Sequence, residues 1–298
     1  MGTEQQKIKS YLYQLIIKNL PSKSKSWLDG KLELLEKENS ERSLYLAFSS
    51  TARFIGKEDL ITDEKSLEEA DQLRPGFYPK HWTKEQATRV LLLISYNHNS
   101  ADHFVEILEK LFSTSDMGEQ TALYAGLPIF PYPERYIQRA TEGIRTNITS
   151  IFDAVALDNP YPAEYFDDNA WNQMFLKAVF IDRPLYRIQG ISKRANAELA
   201  RIISDFAHER WAAGRIVTPE IWRPVGGFAD ERLLGDIKKL LSNEDIMQQE
   251  AAALVCSQTD HAETKVLLNG YQSLKQTVEN GELNWDTLAQ KWWAKKTQ

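Results

Sequence analysis

The stretch Ile8-Lys9-Ser10-Tyr11-Leu12-Tyr13-Gln14-Leu15-Ile16 sets the pattern for the whole chain. Its apolar members Ile8, Tyr11, Leu12, Leu15 and Ile16 recur at i, i+3, i+4, i+7 and i+8, one stripe down an α-helix. Pro21 closes this segment, because proline lacks the backbone donor a helix needs. The same period returns around Trp27, Leu28, Leu32, Leu34 and Leu35, with Ser24 or Ser26 as cap. It returns again from Leu44 to Phe54, where Gly56 stops it.

Lys57 to Trp82 is less regular. Pro75, Gly76 and Pro79 mark it as a loop, with a helical turn over Ser66–Leu73. Thr83 followed by Gln86 is a capping box, and Val90, Leu91, Leu93 and Ile94 give the core face of the helix it opens. Phe104, Ile107, Leu108 and Leu111 then share a face. Further helices are expected at Glu134–Leu157, Asn169–Ile181, Asn196–Ala213, Asp230–Leu241, Asp245–Ser257, Ala262–Tyr271 and Asn284–Lys295, with Gly214 and Gly226-Gly227 as stops. Alternating β-branched runs are absent. The expected fold is all-α, an irregular HEAT-like repeat or α-α superhelix in one elongated or bilobed body. The expected division is an N-terminal helical region, 1–115, continuous with a helical block, 116–298.

Two internal echoes support a repeat. Asp116 and Asp245 each precede a small-residue run and are followed four positions later by Gln120 and Gln249; Asp168 with Gln173 is a looser third instance. Pro131-Tyr132-Pro133 recurs as Pro160-Tyr161-Pro162, 29 residues later. Each pair of prolines suits a helix's first turn.

Composition bounds the function. Hydrophobic residues make up 42% and charged residues 26%, which fits a globular chain and argues against disorder. The net charge of -6 lacks the basic excess of a nucleic-acid binder. The single cysteine, Cys256, has no partner for an internal disulfide, which fits a reducing compartment. No signal-peptide pattern opens the sequence and no 18-residue apolar run follows, so a cytoplasmic protein is expected.

The usual catalytic signatures are absent: no G-x-G-x-x-G, phosphate-binding loop, H-E-x-x-H, G-x-S-x-G or paired cysteines. What remains are clusters. His98, Asp102 and His103 offer two or three ligating groups in a polar loop, short of a metal site. Glu142, Arg145, Thr149 and Asp153 form a polar stripe on the expected 134–157 helix, with Asn147 beside it. Gly143 permits close approach there, so this is a ligand site or a solvated face. Asp158-Asn159-Pro160-Tyr161-Pro162 is a rigid loop suited to packing or to a binding rim. Arg187 and Arg194 can meet an anion or pair with Asp167 and Asp168. Asp205, His208 and Glu209 share a helix face, where a carboxylate beside His208 makes a general base or a structural pair. Trp211, Trp222, Trp292 and Trp293 are packing anchors or an aromatic wall.

Several blocks, in order, resemble the EboA family: Ala122-Leu123-Tyr124-Ala125-Gly126-Leu127-Pro128, Glu142-Gly143-Ile144-Arg145-Thr146-Asn147, Ala156 to Pro162, Trp171-Asn172-Gln173-Met174, Arg183 to Ile188, and His208-Glu209-Arg210-Trp211-Ala212-Ala213-Gly214. The resemblance implies a protein of a bacterial secondary-metabolite gene cluster, serving metabolite traffic beside prenyltransferase-like and hydrolase-like proteins. It brings no established catalytic residues and no cofactor. The expectation is a non-enzymatic binding or scaffold protein for a small-molecule or lipid-linked metabolite, reaching a membrane only through a partner. Its candidate ligand residues are Glu142, Arg145, Asn147, Tyr161, Asn172, Arg187, His208, Glu209 and Trp211. The alternatives are an enzyme of unfamiliar type at His208, or a protein–protein adaptor.

Overall fold

A computed structural model describes residues 3–228 and 230–296. Among these, every regular element is a helix, and the only ladder pairing is one isolated bridge between Asp59 and Thr83. The all-α expectation holds. The chain forms two compact units, meeting in sequence at Phe166 and Asp167.

The first unit contains α1 (Thr3–Lys18), α2 (Ser22–Glu38), α3 (Glu41–Ile55), α4 (Glu64–Leu73), α5 (Lys84–Ser95), α6 (Ala101–Thr114), α7 (Met117–Gly126), α8 (Ile137–Arg145), α9 (Thr149–Ala156) and α10 (Tyr161–Tyr165). Its centre is α5, which packs on α1, α2, α3 and α7. Thr83 and Gln86 cap it reciprocally, as their spacing predicts. The sequence shows one apolar face, yet α5 is buried almost all round, from Glu85 to Ile94. Its buried charges are paired internally: Arg89 donates to Glu85 at 2.9 Å and to the Phe48 carbonyl at 3.2 Å, and stands 3.9 Å from Glu119.

One expected helix divides. The apolar spacing Ala140, Ile144, Ile148, Ile151, Val155 runs on through 134–157, but the structure breaks between α8 and α9. Thr146 is extended, and its hydroxyl accepts the Ile148 amide at 3.2 Å, a side-chain turn that competes with the helix. Ile148 is left exposed. Gly143 does admit a close approach, but from this unit's own core: a Cβ there would lie 2.8 Å from both Tyr124 and Val155.

The second unit contains α11 (Asp168–Phe180), α12 (Ala197–Ala212), α13 (Glu231–Leu241), α14 (Ile246–Ser257), α15 (Ala262–Asn269), α16 (Gln272–Glu279) and α17 (Trp285–Lys296). Here α14 is central, against α13, α15, α16, α17 and the 3-10 turn Pro219–Trp222. The Asp-led echo has a shared local build. Asp116 and Asp245 each accept a backbone N–H of the helix they open, and Gln120 and Gln249 each reach back to a carbonyl of the preceding segment. In the third instance the cap is Asp167, accepting from Ala170 at 2.7 Å, and Asp168 instead pairs with Arg194.

Candidate functional site

The structure does not bring the candidate residues of the first unit together: Glu142, Arg145 and Asn147 are exposed, while Tyr161 is buried. Glu142 is exposed and accepts from Arg139 at 2.9 Å and Gln138 at 3.2 Å. Arg145 and Asn147 are exposed around the turn after α8, and the break there dissolves the continuous stripe. Tyr161 is fully buried, and its hydroxyl donates to the Pro133 carbonyl at 2.5 Å, tying the second Pro-Tyr-Pro to the first. Beside it, Asn159 donates to the Ala154 and Tyr124 carbonyls and accepts the Tyr161 amide. That loop is packed rather than a binding rim. Asp102 meets Arg135, His103 meets Glu41, and His98 meets the Tyr132 hydroxyl. Among the described residues no three His, Cys, Asp or Glu side chains converge on a metal position.

In the second unit Asn172 and Asn196 bond reciprocally through their amides, at 3.2 and 2.9 Å, and Asn196 also caps α12. This locks α11 to the start of α12. Arg187 sits at the end of the short 3-10 turn Leu185–Arg187, close in sequence to Tyr186, whose amide donates to the buried Glu220. Burial raises Glu220 to about 7, against the opposing hydrogen bonds from Trp293 and Tyr186. Trp211 stacks on Trp222 with ring centroids 5.9 Å apart and carries Lys239 on its face, so it serves as a packing anchor.

His208 has a carboxylate partner, but a different one from the sequence-adjacent Asp205. Its Nε2 meets Asp236 of α13 at 2.5 Å, while Asp205 pairs with Arg201 and Arg232. Asp236 is buried, and its other oxygen accepts from Ser204 at 2.6 Å. The order Ser–Asp–His puts the carboxylate between hydroxyl and imidazole, so the three do not form the hydroxyl–imidazole–carboxylate order of a catalytic triad.

The one candidate residue that borders a large recess is Glu209. A cleft of about 640 Å³ opens between the ends of α11 and α12, the loop 213–218, and residues of α14's start and α17. Its walls include Phe180, Phe206, Ile216, Val217 and Trp292. Phe180 and Ile216 are 71% and 69% exposed, so the apolar surface is open to a ligand rather than covered by the unit's core. Its volume falls within the range typical of small-molecule sites, and its character is mostly apolar with a charged rim. Sequence reasoning offered Trp292 as part of an aromatic wall but missed Phe180, Phe206, Arg215 and Ile216. The available signal was Arg215-Ile216-Val217 directly after the helix-stopping Gly214, where apolar residues follow a turn without a helical period to bury them.

The loop that walls the cleft is anchored from the core. Gln248 of α14 donates to the Val217 carbonyl at 2.8 Å, and both are buried. Gln248→Ala leaves that carbonyl unpaired, so a loss of about 1–3 kcal/mol is expected, with faster amide exchange over 214–218. Chemical denaturation and hydrogen exchange check both; a loop as protected as before would contradict the anchoring role.

Fold and cleft together define an all-α protein with an apolar, charge-rimmed recess. The family model described as metabolite traffic protein EboA matches residues 8–226. The chain belongs to this EboA family. No match was found among curated proteins or among solved structures. A role in metabolite handling follows from the family, and no described helix is long and apolar enough to cross a membrane.

Proposed function

We propose that the chain holds a small metabolite in the cleft of its second unit and passes it on without transforming it. The observation that carries this reading is the 640 Å³ recess with Phe180 and Ile216 turned into solvent. Exposing such side chains is unfavourable unless something covers them for part of the working cycle. Of the candidate residues, Glu209 belongs to this site.

The finer role is a carrier or scaffold of a bacterial secondary-metabolite gene cluster, cytoplasmic, handling a small or lipid-linked precursor. Its partners are prenyltransferase-like and hydrolase-like proteins. The family description, the acidic charge and the single cysteine are consistent with this. The test is titration of the purified chain with the uncharged fluorescent probe N-phenyl-1-naphthylamine. Phe180→Asp combined with Ile216→Asp is expected to weaken binding by roughly tenfold or more, because two open apolar contacts are lost. Both sites are exposed, so the fold tolerates the change. A wild-type chain that binds no probe, or a double variant that binds equally well, sinks the reading.

One observation favours an enzymatic second reading: the half-exposed His208 is held by the buried carboxylate of Asp236. A carboxylate that fixes imidazole orientation is the second half of a general-base pair. His208→Ala decides it, since a pure carrier keeps its function in cells when His208 is removed. The adaptor reading, a HEAT-like protein–protein platform, instead predicts capture of a partner protein that the Phe180/Ile216 variant leaves intact.

A further inference from the structure

The charged rim of the cleft is not balanced. Lys296 pairs with Asp182, and Lys295 stands 3.8 Å from Asp245, so two cations and two anions neutralise one another. Arg210, Arg215 and Glu209 remain. Neither arginine has a carboxylate partner among the described residues.

Their proximity is dictated by the way α12 ends. Gly214 is left-handed at φ +65, the Arg215 amide donates to the Arg210 carbonyl at 2.8 Å, and the Gly214 amide donates to the Trp211 carbonyl at 3.0 Å. This pair of bonds is a Schellman turn, which sets the residue after the glycine beside the residue five positions earlier. That contact is ordinarily apolar. In this chain both positions are arginine. The Arg210 guanidinium is oriented further, donating to the Ile216 carbonyl at 3.0 and 3.3 Å. The helix dipole accounts for a cation in the last turn, Arg210, but not for a second one beyond it. Both side chains line the mouth of the apolar recess, where with Glu209 they leave a net positive charge that a ligand anion would offset.

We infer that Arg210 and Arg215 form an anion clamp, and that the ligand is a free amphiphile: an apolar or aromatic body against Phe180, Phe206, Ile216 and Trp292, with one anionic group at the clamp. This rests on the cleft being the binding site. A free molecule is favoured over an anionic bilayer because the whole chain carries a charge of -6, which opposes attachment to such a surface.

The test compares two probes of nearly the same shape, 1-anilinonaphthalene-8-sulfonate and uncharged N-phenyl-1-naphthylamine, on the full chain. Arg215→Glu is expected to weaken the sulfonate by about tenfold or more and the neutral probe by less than about twofold, with Arg215→Lys retaining most of the affinity. Added salt is expected to weaken only the sulfonate. Arg215 is exposed, so the variant folds. If the neutral probe binds and Arg215→Glu leaves the sulfonate unchanged, or weakens both probes alike, the clamp is overturned and the cleft reading survives. If neither probe binds, both fall. Sedimentation with phosphatidylglycerol vesicles that depends on Arg215 overturns the choice of a free ligand.

Discussion

Arg89→Ala is expected to destabilise the first unit by about 3–5 kcal/mol, a large part of a domain's stability. Arg89 is 2% exposed and is the cation shared by Glu85 and Glu119, themselves buried. Its Nε also satisfies the Phe48 carbonyl, and its guanidinium lies over the Phe48 ring at 5.5 Å. Removal leaves two carboxylates without their counter-charge, a carbonyl without its donor, and a void where the side chain ran. Arg89→Met combined with Glu85→Leu removes a cation and an anion together and fills the space. That pair is expected to recover a substantial part of the loss, since well-packed apolar residues replace buried ion pairs at small cost. Urea denaturation followed by amide exchange along α5 reads both. A single-variant loss below about 1 kcal/mol shows the cluster to be dispensable.

The second large effect depends on pH. Burial raises Glu220 from 4.5 to about 7. Between those values the native state holds a proton that the unfolded chain has released. Glu220 therefore contributes stability that is fully present below pH 4.5 and is lost as the pH rises towards 7. The interval corresponds to roughly 3 kcal/mol. Glu220→Gln cannot titrate, so its stability should change between pH 5 and 8 by about 3 kcal/mol less than the wild type's. Both carboxyl oxygens accept an N–H, from Tyr186 and Trp293, and glutamine keeps only one acceptor. The variant is thus expected to be the less stable protein at pH 5, with the deficit narrowing or reversing at pH 8. Denaturation midpoints at the two values measure this; identical pH slopes in both proteins would falsify it.

The helices were legible because most of them carry their own signals. Thr83 with Gln86, Asp116, Asp245 and Gly214 start or stop helices by bonds made within a few residues. The failure at 134–157 was also local, but weaker: one Thr146 hydroxyl bond outcompeted an apolar period that kept running. The start of α10 was legible in the second Pro-Tyr-Pro, whereas the short helix α16 was missed, since it has no stripe long enough to show.

The candidate site was less legible. Of the polar residues singled out in the sequence, Tyr161 turned out to bond a backbone carbonyl and Asn172 the side-chain amide of Asn196, each within its own unit. A buried polar group must find a partner to be tolerated, and nothing in a sequence separates that need from ligand binding. His208 shows the same limit, since its partner Asp236 lies 28 residues away on another helix.

The sequence by itself determined an all-helical chain of the EboA family, the capped helix starts, the Gly214 turn and the lack of a common catalytic motif. These depend on backbone periodicity and on contacts between near neighbours, which a linear string records. Only the tertiary structure decided that α5 and α14 are enclosed centres, that Gly143 is needed by Tyr124 and Val155, and that Phe180, Phe206, Ile216 and Trp292 share one recess with Arg210 and Arg215. Those facts depend on which surfaces distant helices bury against each other. Burial energy is set by that long-range pairing and leaves no period in the residues themselves.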